Sequence, residues 1–271
     1  MYYQTYEPSI ALADFVKCFW VLESPASTEN QKQRIVPDGC MEMIFHYGDL
    51  YRQYITGTDS IIQPRSFVFG QITTPLEIEP TGESGIFAVR FLPDGFMPFA
   101  TMPLQEMADK AVALQELFGE EGVQLADSVL HATDHTARIG IIEAFLTNRL
   151  SMPGVIDRVV NISVAAIIDL DGQLSVSGLA EQVNVNRRQL ERKFAQAIGL
   201  SPKQLSKIIR LQATIKRMQS QAFDSLTEIA YDGEYYDQAH LIRDFKEFTG
   251  VTPKQFYANN LKMSALFAGA E

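Results

Sequence analysis

Apolar positions between Leu174 and Asn260 recur at spacings of three and four residues, and they do so twice in register. In the first run, Val176, Leu179, Ala180 and Val183 predict a short amphipathic helix. Asn184-Val185-Asn186 interrupts it, because Asn accepts the left-handed backbone of a sharp turn and Asn186 is a good N-cap. A second helix is predicted from Arg187 to about Ile198, with Leu190, Phe194, Ala197 and Ile198 on one face. The second run repeats the plan: Leu226, Ile229 and Ala230 make the short helix, Asp237 caps the longer one, and Leu241, Phe245 and Phe248 form its apolar stripe. Each run closes on F-x4-G-x-[ST]-P, at Phe194–Pro202 and Phe245–Pro253, 51 residues apart. Leu190 and Arg192 match Leu241 and Arg243, and Leu179-Ala180 matches Ile229-Ala230, so the stretch is an internal duplication. Gly199 and Gly250 read as helix stops, and Ser201-Pro202 and Thr252-Pro253 as helix starts. Between the copies, Pro202 to about Gln219 predicts one longer helix that packs through Leu205, Ile208, Ile209, Ala213, Ile215 and Met218.

The amino half follows a different period. Phe15–Leu22, Met41–Tyr47, Leu50–Thr56, Ser66–Gly70 and Ile86–Leu92 are short aromatic and β-branched runs. Pro37-Asp38-Gly39, Gly48-Asp49, Gly57, Pro64, Gly82 and Pro93-Asp94-Gly95 separate them, which predicts a sandwich or barrel. Helices follow at Ala108–Phe118, Val123–Leu130 and Thr136–Leu150, the last with Ile139, Ile142, Phe145, Leu146 and Leu150 on one stripe. Ser151-Met152-Pro153-Gly154 breaks the pattern, and Val155–Leu170 predicts the first helix of the carboxyl half. The expected fold class is α+β in two domains, a β-rich barrel or sandwich with appended helices over 1–152, then an all-α domain over 155–262 and a tail over 263–271.

A short helix, a tight turn and a second helix with an exposed cationic face make the helix-turn-helix plan, whose second helix enters the major groove. The segments LAEQVNVNRRQLERKFAQAIGLSP and IAYDGEYYDQAHLIRDFKEFTGVTP resemble the tandem helix-turn-helix domain of AraC/XylS-type transcription regulators, over roughly Val155 to Asn260. VPDGCMEMIF and VRFLPDGF are similar to the amino-terminal regions of an AraC-like subgroup with a cupin-like barrel. The resemblance implies a DNA-binding regulator with double-stranded DNA as partner and RNA polymerase as a further one. It also implies an amino-terminal domain that takes a small effector or pairs with a second copy. The positions matching the family's reading residues are Arg187, Arg188, Glu191 and Arg192, then Gln238, Ala239, Ile242 and Arg243. Arg suits guanine, Gln adenine, and Ile or Ala a thymine methyl. The helix starts at Ser201 and Thr252 are expected to offer backbone N–H groups to phosphates. In one place the chain departs from the family, whose second turn usually has Gly before an aromatic. Here Glu234-Tyr235 stands there, with Gly233 one residue earlier, so a rearranged or strained second turn is expected.

Charge changes the picture once it is divided. Residues 1–154 hold 9 Lys+Arg against 20 Asp+Glu, a net of −11, and residues 155–271 hold 14 against 13, a net of +1, which together give the −10 of the whole chain. Leu174–Arg217 alone holds 9 basic residues against 2 acidic ones. Positive charge is thus expected at the first motif and the connecting helix, and the first motif is expected to hold DNA more strongly.

Other chemistries find little support in the sequence. A catalytic metal in a cupin-like barrel needs several His beside a carboxylate, and the strand region has only His46. No metal, cofactor or catalytic residue is therefore expected. Thr133-Asp134 reads as a cap that separates His131 from His135, and His240 as a packing or backbone-contacting residue. Cys18 and Cys40 have no ligand spacing and read as free thiols. No apolar run of membrane-spanning length occurs and MYYQTYEPS lacks the order of a signal peptide, so a cytoplasmic protein is expected. Trp20, Tyr47, Arg90 and Phe91 are candidates for an effector pocket. The alternative reading is a cupin-like small-molecule-binding protein whose helical half makes protein contacts instead of reading DNA.

Overall fold

The computed structural model describes residues 1–26, 32–56, 59–150, 157–220 and 225–258. The expected boundary at Ser151–Gly154 and the tail from residue 263 lie outside the described residues. The amino half is built on two antiparallel sheets. The larger sheet runs in the order β1 (Tyr2–Tyr6), β2 (Val16–Ser24), β9 (Ser84–Phe91), β4 (Glu42–His46), β7 (Ser66–Phe69) and β10 (Ala111–Ala113). The smaller runs β3 (Gln33–Ile35), β8 (Leu76–Pro80), β5 (Tyr51–Thr56) and β6 (Asp59–Ile62).

The central strands β2 and β9 are almost wholly buried, because both faces of the larger sheet are covered. Alternation sorts their side chains. Phe19, Val21, Met43, Phe45, Phe87, Val89 and Phe91 pack towards helices α1 (Leu114–Phe118), α2 (Glu120–Leu130) and α3 (His135–Leu150). Cys18, Trp20, Leu22, Ile86 and Ala88 point the other way, with Tyr51 and Ile78 of the smaller sheet. The amino half is therefore sheet, sheet and helix in layers.

The structure corrects one amino-half element. Ala108–Phe118 is not one helix: Ala111–Ala113 pairs with Phe67–Phe69 as a strand, and the helix starts only at Leu114. A three-residue strand rich in Ala has no period of its own, and its pairing with β7 decides its conformation. Asp134 caps α3, its carboxylate accepting from Ala137 N at 2.8 Å, which separates His131 from His135 as expected.

The carboxyl half consists of α4 (Arg158–Asp169), α5 (Val176–Gln182), α6 (Arg187–Ala197), α7 (Pro202–Gln219), α8 (Leu226–Asp232), α9 (Gln238–Thr249) and α10 (Pro253–Ala258). One core joins them, with Val160, Ile167, Leu190, Phe194, Ile208, Leu211, Leu241 and Phe245 buried together. Phe194 and Phe245 hold the same place in the two repeats and are both fully buried. Truncating either to Ala should cost about 3–5 kcal/mol.

The two halves touch along residues 34–39 and near Pro75, Asp94 and Leu104. Val36 is buried in the helical core. Gln212 Nε2 donates to Pro37 O at 2.6 Å, Arg34 to Thr249 O at 3.3 Å, and Asn161 Nδ2 to Asp94 at 3.2 Å.

Candidate nucleic-acid interface

Both motifs are made by the same local chemistry. Ser175 and Ser225 cap the short helices through their hydroxyls. In the first turn Asn184 takes φ +52°, its N–H reaching Glu181 O at 3.1 Å while Val185 N reaches Ala180 O at 3.0 Å. In the second, Glu234 takes φ +51°, with Glu234 N on Tyr231 O at 3.1 Å and Tyr235 N on Ala230 O at 2.9 Å. The second turn is thus not rearranged; it repeats the first bond for bond. Its cost is a non-glycine in the left-handed region, on the order of 1 kcal/mol, and the buried Tyr235 ring beneath it holds it in place.

The longer helices start as expected. Asn186 Oδ1 accepts from Gln189 N at 2.9 Å, and Asp237 Oδ1 from His240 N at 2.7 Å. On α6, Arg187, Arg188 and Arg192 are exposed and Glu191 half-buried; on α9, Gln238, Ala239 and Arg243 are exposed and Ile242 half-buried. Arg187 and Glu191 are not independent, since Arg187 Nε lies 2.9 Å from Glu191 Oε1 one helical turn on. Among the described residues Arg188, Arg192 and Arg243 have no ion pair, so three guanidinium groups are presented free on the two longer helices.

The first turns of α7 and α10 are alike, and they qualify the expected phosphate contacts. Ser201 Oγ accepts from Gln204 N at 3.2 Å while Gln204 Oε1 accepts from Ser201 N at 3.0 Å. Thr252 and Gln255 repeat this reciprocal cap at 3.3 and 3.0 Å. The amides of Ser201 and Thr252 are thus already used, and Pro202 and Pro253 have none. Lys203 and Lys254 carry the first-turn amides outside these caps.

The connecting helix is less cationic than its sequence suggests. Asp244, buried on α9, receives Lys207 Nζ at 3.3 Å and Arg210 at 3.5 Å, with His240 Nε2 at 3.4 Å. Arg210 also lies over the Tyr235 ring at 4.6 Å. Lys193 pairs with Asp157 and Arg217 with Asp232. These cations tie helices together and are not free surface charge. His240 accepts from Tyr236 N at 3.3 Å and packs edge-on against the Tyr235 ring.

The candidate effector residues part company. Trp20 and Arg90 line a cavity between the two sheets. Tyr47 lies on the other face of the larger sheet, its hydroxyl donating to Glu23 at 2.6 Å and its ring under Arg138 at 4.3 Å. Phe91 is on that face too, buried against Phe96 and Phe99. Sequence reasoning missed Asp38, Glu42 and His46, which also line the cavity. Alternation along β4 would have placed Glu42, Ile44 and His46 together, but nothing in the sequence set which face was enclosed. Burial lifts the Glu42 carboxyl to about 7, opposed by donation from Trp20, and burial holds the His46 imidazole down at about 4. Cys40, beside them, is pushed up to about 12 by burial, so its thiol is inert at neutral pH. Among the described residues no group of three His, Cys, Asp or Glu is placed to hold a metal ion, and no helix is long and apolar enough to cross a membrane.

Comparison with known families settles what the doubled motif is. The helix-turn-helix domain family matches residues 179–259. This part of the chain is a helix-turn-helix domain. A domain of unknown function (DUF6597) matches residues 4–113. An uncharacterized HTH-type transcriptional regulator of Haemophilus influenzae is 27% identical over 134 residues, 48% of this chain and 45% of that protein. The chain thus spans about half the length of that curated relative. Among solved structures, ToxT from Vibrio cholerae is similar with a TM-score of 0.49 at 12% identity, over 88% of this chain and 97% of that one. A transcriptional regulator with an AraC-type DNA-binding domain from Chromobacterium violaceum gives 0.34 at 24% identity, over 37% and 90%. In this helix-turn-helix domain, α6 and α9 are the second helices of the two motifs.

Proposed function

We propose that the chain is a sequence-specific DNA-binding transcription regulator in which α6 and α9 enter successive major-groove segments on one side of the duplex. The observation that carries this reading is the set of Arg188, Arg192 and Arg243, exposed and without ion pairs among the described residues, with Arg192 and Arg243 at matching places on two helices that the same turn chemistry positions. Arg188 and Arg192 read bases from α6, with Arg187 and Glu191 exchanging their mutual bridge for DNA. Gln238, Ala239, Ile242 and Arg243 read from α9. The starts of α7 and α10, near Ser201 and Thr252, meet phosphates chiefly through the first-turn amides of Lys203 and Lys254. The sandwich of the amino half acts as the sensor. RNA polymerase and a second copy of the chain are the further partners in this reading.

A second reading has one observation in its favour. Tyr231 and Tyr236 are 75% and 89% exposed beside the second motif, which suits a protein partner for the helical half. Fluorescence anisotropy with a mixed duplex pool separates the two. DNA reading gives an affinity that falls steeply with salt and weakens in the Arg188→Ala/Arg192→Ala protein. A helical half that only contacts proteins gives neither effect.

A further inference from the structure

Between the two sheets lies a cavity of about 60 Å³, room for roughly four waters or part of a compact ligand. Ile44, Ile78 and Ile86 make its walls apolar. One end is acidic. Arg90, nearly fully buried, forms ion pairs with Asp38 and, at 2.9 Å, with Glu42, while Trp20 Nε1 donates to Glu42 at 3.0 Å. Two carboxyl groups thus share a single guanidinium, and further lone pairs on both can still accept. His46 also lines the cavity. It is 1% exposed, stacked on Tyr51 at 5.3 Å, and neither ring nitrogen makes a hydrogen bond of ordinary geometry, with the Gln63 amide close by. A buried polar ring left in this way is uncommon, and a ligand group that reaches it recovers the lost bond.

The cavity wall is also the surface on which the helix-turn-helix half is docked. Ile35, Asp38, Cys40 and Leu76 line the cavity. Their sequence neighbours point outward to the other half. Arg34 reaches Thr249 O at the end of α9, Val36 enters the helical core, and Pro37 O takes Gln212 of α7. A Cβ at Gly39 would stand 3.0 Å from Leu205 Cδ1 of α7, and one at Gly250 3.5 Å from Pro75 Cγ. A wall one strand thick therefore separates the cavity from α7 and α9.

We propose that this cavity takes a compact, largely apolar ligand whose polar end donates hydrogen bonds, an amine or an alcohol and not a carboxylate, and that filling it shifts the wall on which α7 and α9 are docked. A carboxylate would bring a third anionic group to one cation that two already share, whereas an ammonium or hydroxyl finds acceptors waiting. The regulatory part of the inference rests on the DNA-binding reading; the ligand chemistry does not.

The test uses the full chain and three probes of one shape, benzylamine, benzyl alcohol and benzoate, titrated by calorimetry. Hydrogen exchange is followed at residues 34–40, 199–205 and 246–250. Benzylamine or benzyl alcohol should bind about tenfold or more tighter than benzoate. Binding should vanish in Ile72→Trp or, as a second variant, Ile44→Phe, each of which fills the cavity from a half-buried position. Exchange at the three segments should change on binding. Tightest binding by benzoate, binding by none of the three, binding that survives both filled variants, or binding with unchanged exchange at all three segments overturns the proposal. Selection of DNA sequences by the ligand-free chain is measured separately. A chain that selects DNA but binds no probe refutes this inference alone, and one that binds benzylamine but selects no DNA refutes the DNA-binding reading alone.

Discussion

Gly199 and Gly250 stand at the same place in the two copies of the repeat, and each lies against the amino half of the chain. Both have positive φ, +84° and +74°, and each ends a longer helix of its motif. They differ in the space around them. A Cβ at Gly199 would come within 2.8 Å of the Leu104 carbonyl oxygen, whereas at Gly250 the nearest atoms are 3.5 Å away. Gly199→Ala therefore combines backbone strain with a collision against backbone, and Gly250→Ala has strain alone. Urea unfolding should show Gly250→Ala costing about 1 kcal/mol and Gly199→Ala roughly 2–3 kcal/mol. Equal costs would mean that the contact between Gly199 and the amino half is absent in solution.

Glu234 is the reverse case. It holds φ +51°, is exposed, and keeps the second turn in the shape of the first. Glu234→Gly should raise stability by roughly 0.5–1 kcal/mol, seen as a higher urea midpoint with unchanged slope. A loss of stability would mean that the Glu side chain, and not the turn geometry, is what the position needs.

Asp244 joins α9 to α7 by accepting Lys207 and Arg210 from a buried position. Asp244→Ala removes the shared anion and leaves Arg210 without a carboxylate partner among the described residues, while Lys207 keeps Glu247 at 2.8 Å. The expected cost is about 3 kcal/mol, larger than for Asp232→Ala, whose pair with Arg217 is substantially exposed. Comparable losses would show that the connecting helix is held by packing alone.

Two buried groups in the cavity give opposite pH dependences. His46 is held down at about 4 against an ordinary 6.5, so between those values the unfolded chain binds a proton that the folded chain refuses. Stability is full above about 6.5 and falls as pH drops towards 4, by up to roughly 3 kcal/mol. Glu42 is lifted from 4.5 to about 7, so the folded chain keeps a proton that the unfolded chain releases. Its contribution is full below about 4.5 and is lost as pH rises through 7. Urea midpoints from pH 4 to 8 check both: His46→Gln should flatten the acid side and Glu42→Gln the neutral side. An unchanged profile in either variant would show that the group is solvated.

Much of this architecture is legible in the sequence, for local reasons. The repeat fixes helix starts, stops and buried stripes through residues close together in the chain, such as Asn186, Gly199 and Phe194. The inner strands are legible too, since β2, β4 and β9 carry long aromatic and β-branched runs. Edge strands are harder. Gln33–Ile35 is a three-residue edge that becomes a strand only by pairing with Leu76–Pro80, as the four-residue edge Asp59–Ile62 does with Tyr51–Thr56. The charge excess of the first motif and connecting helix does not show that Lys207 and Arg210 find Asp244, across a fold that spacing does not reveal. The cavity wall was invisible for the same reason: Arg34, Pro37 and Gly39 acquire their role only through contacts more than 160 residues away in the chain.

Selection of bound sequences from a random duplex pool, with the Arg188→Ala/Arg192→Ala protein run beside the unaltered chain, tests the central claim most directly. Two short boxes about one helical turn apart should be enriched. The box read by α6 should disappear in the double variant while the other persists. No enrichment by the unaltered chain, with or without benzylamine, or enrichment that the double variant leaves unchanged, would contradict reading of DNA by these helices.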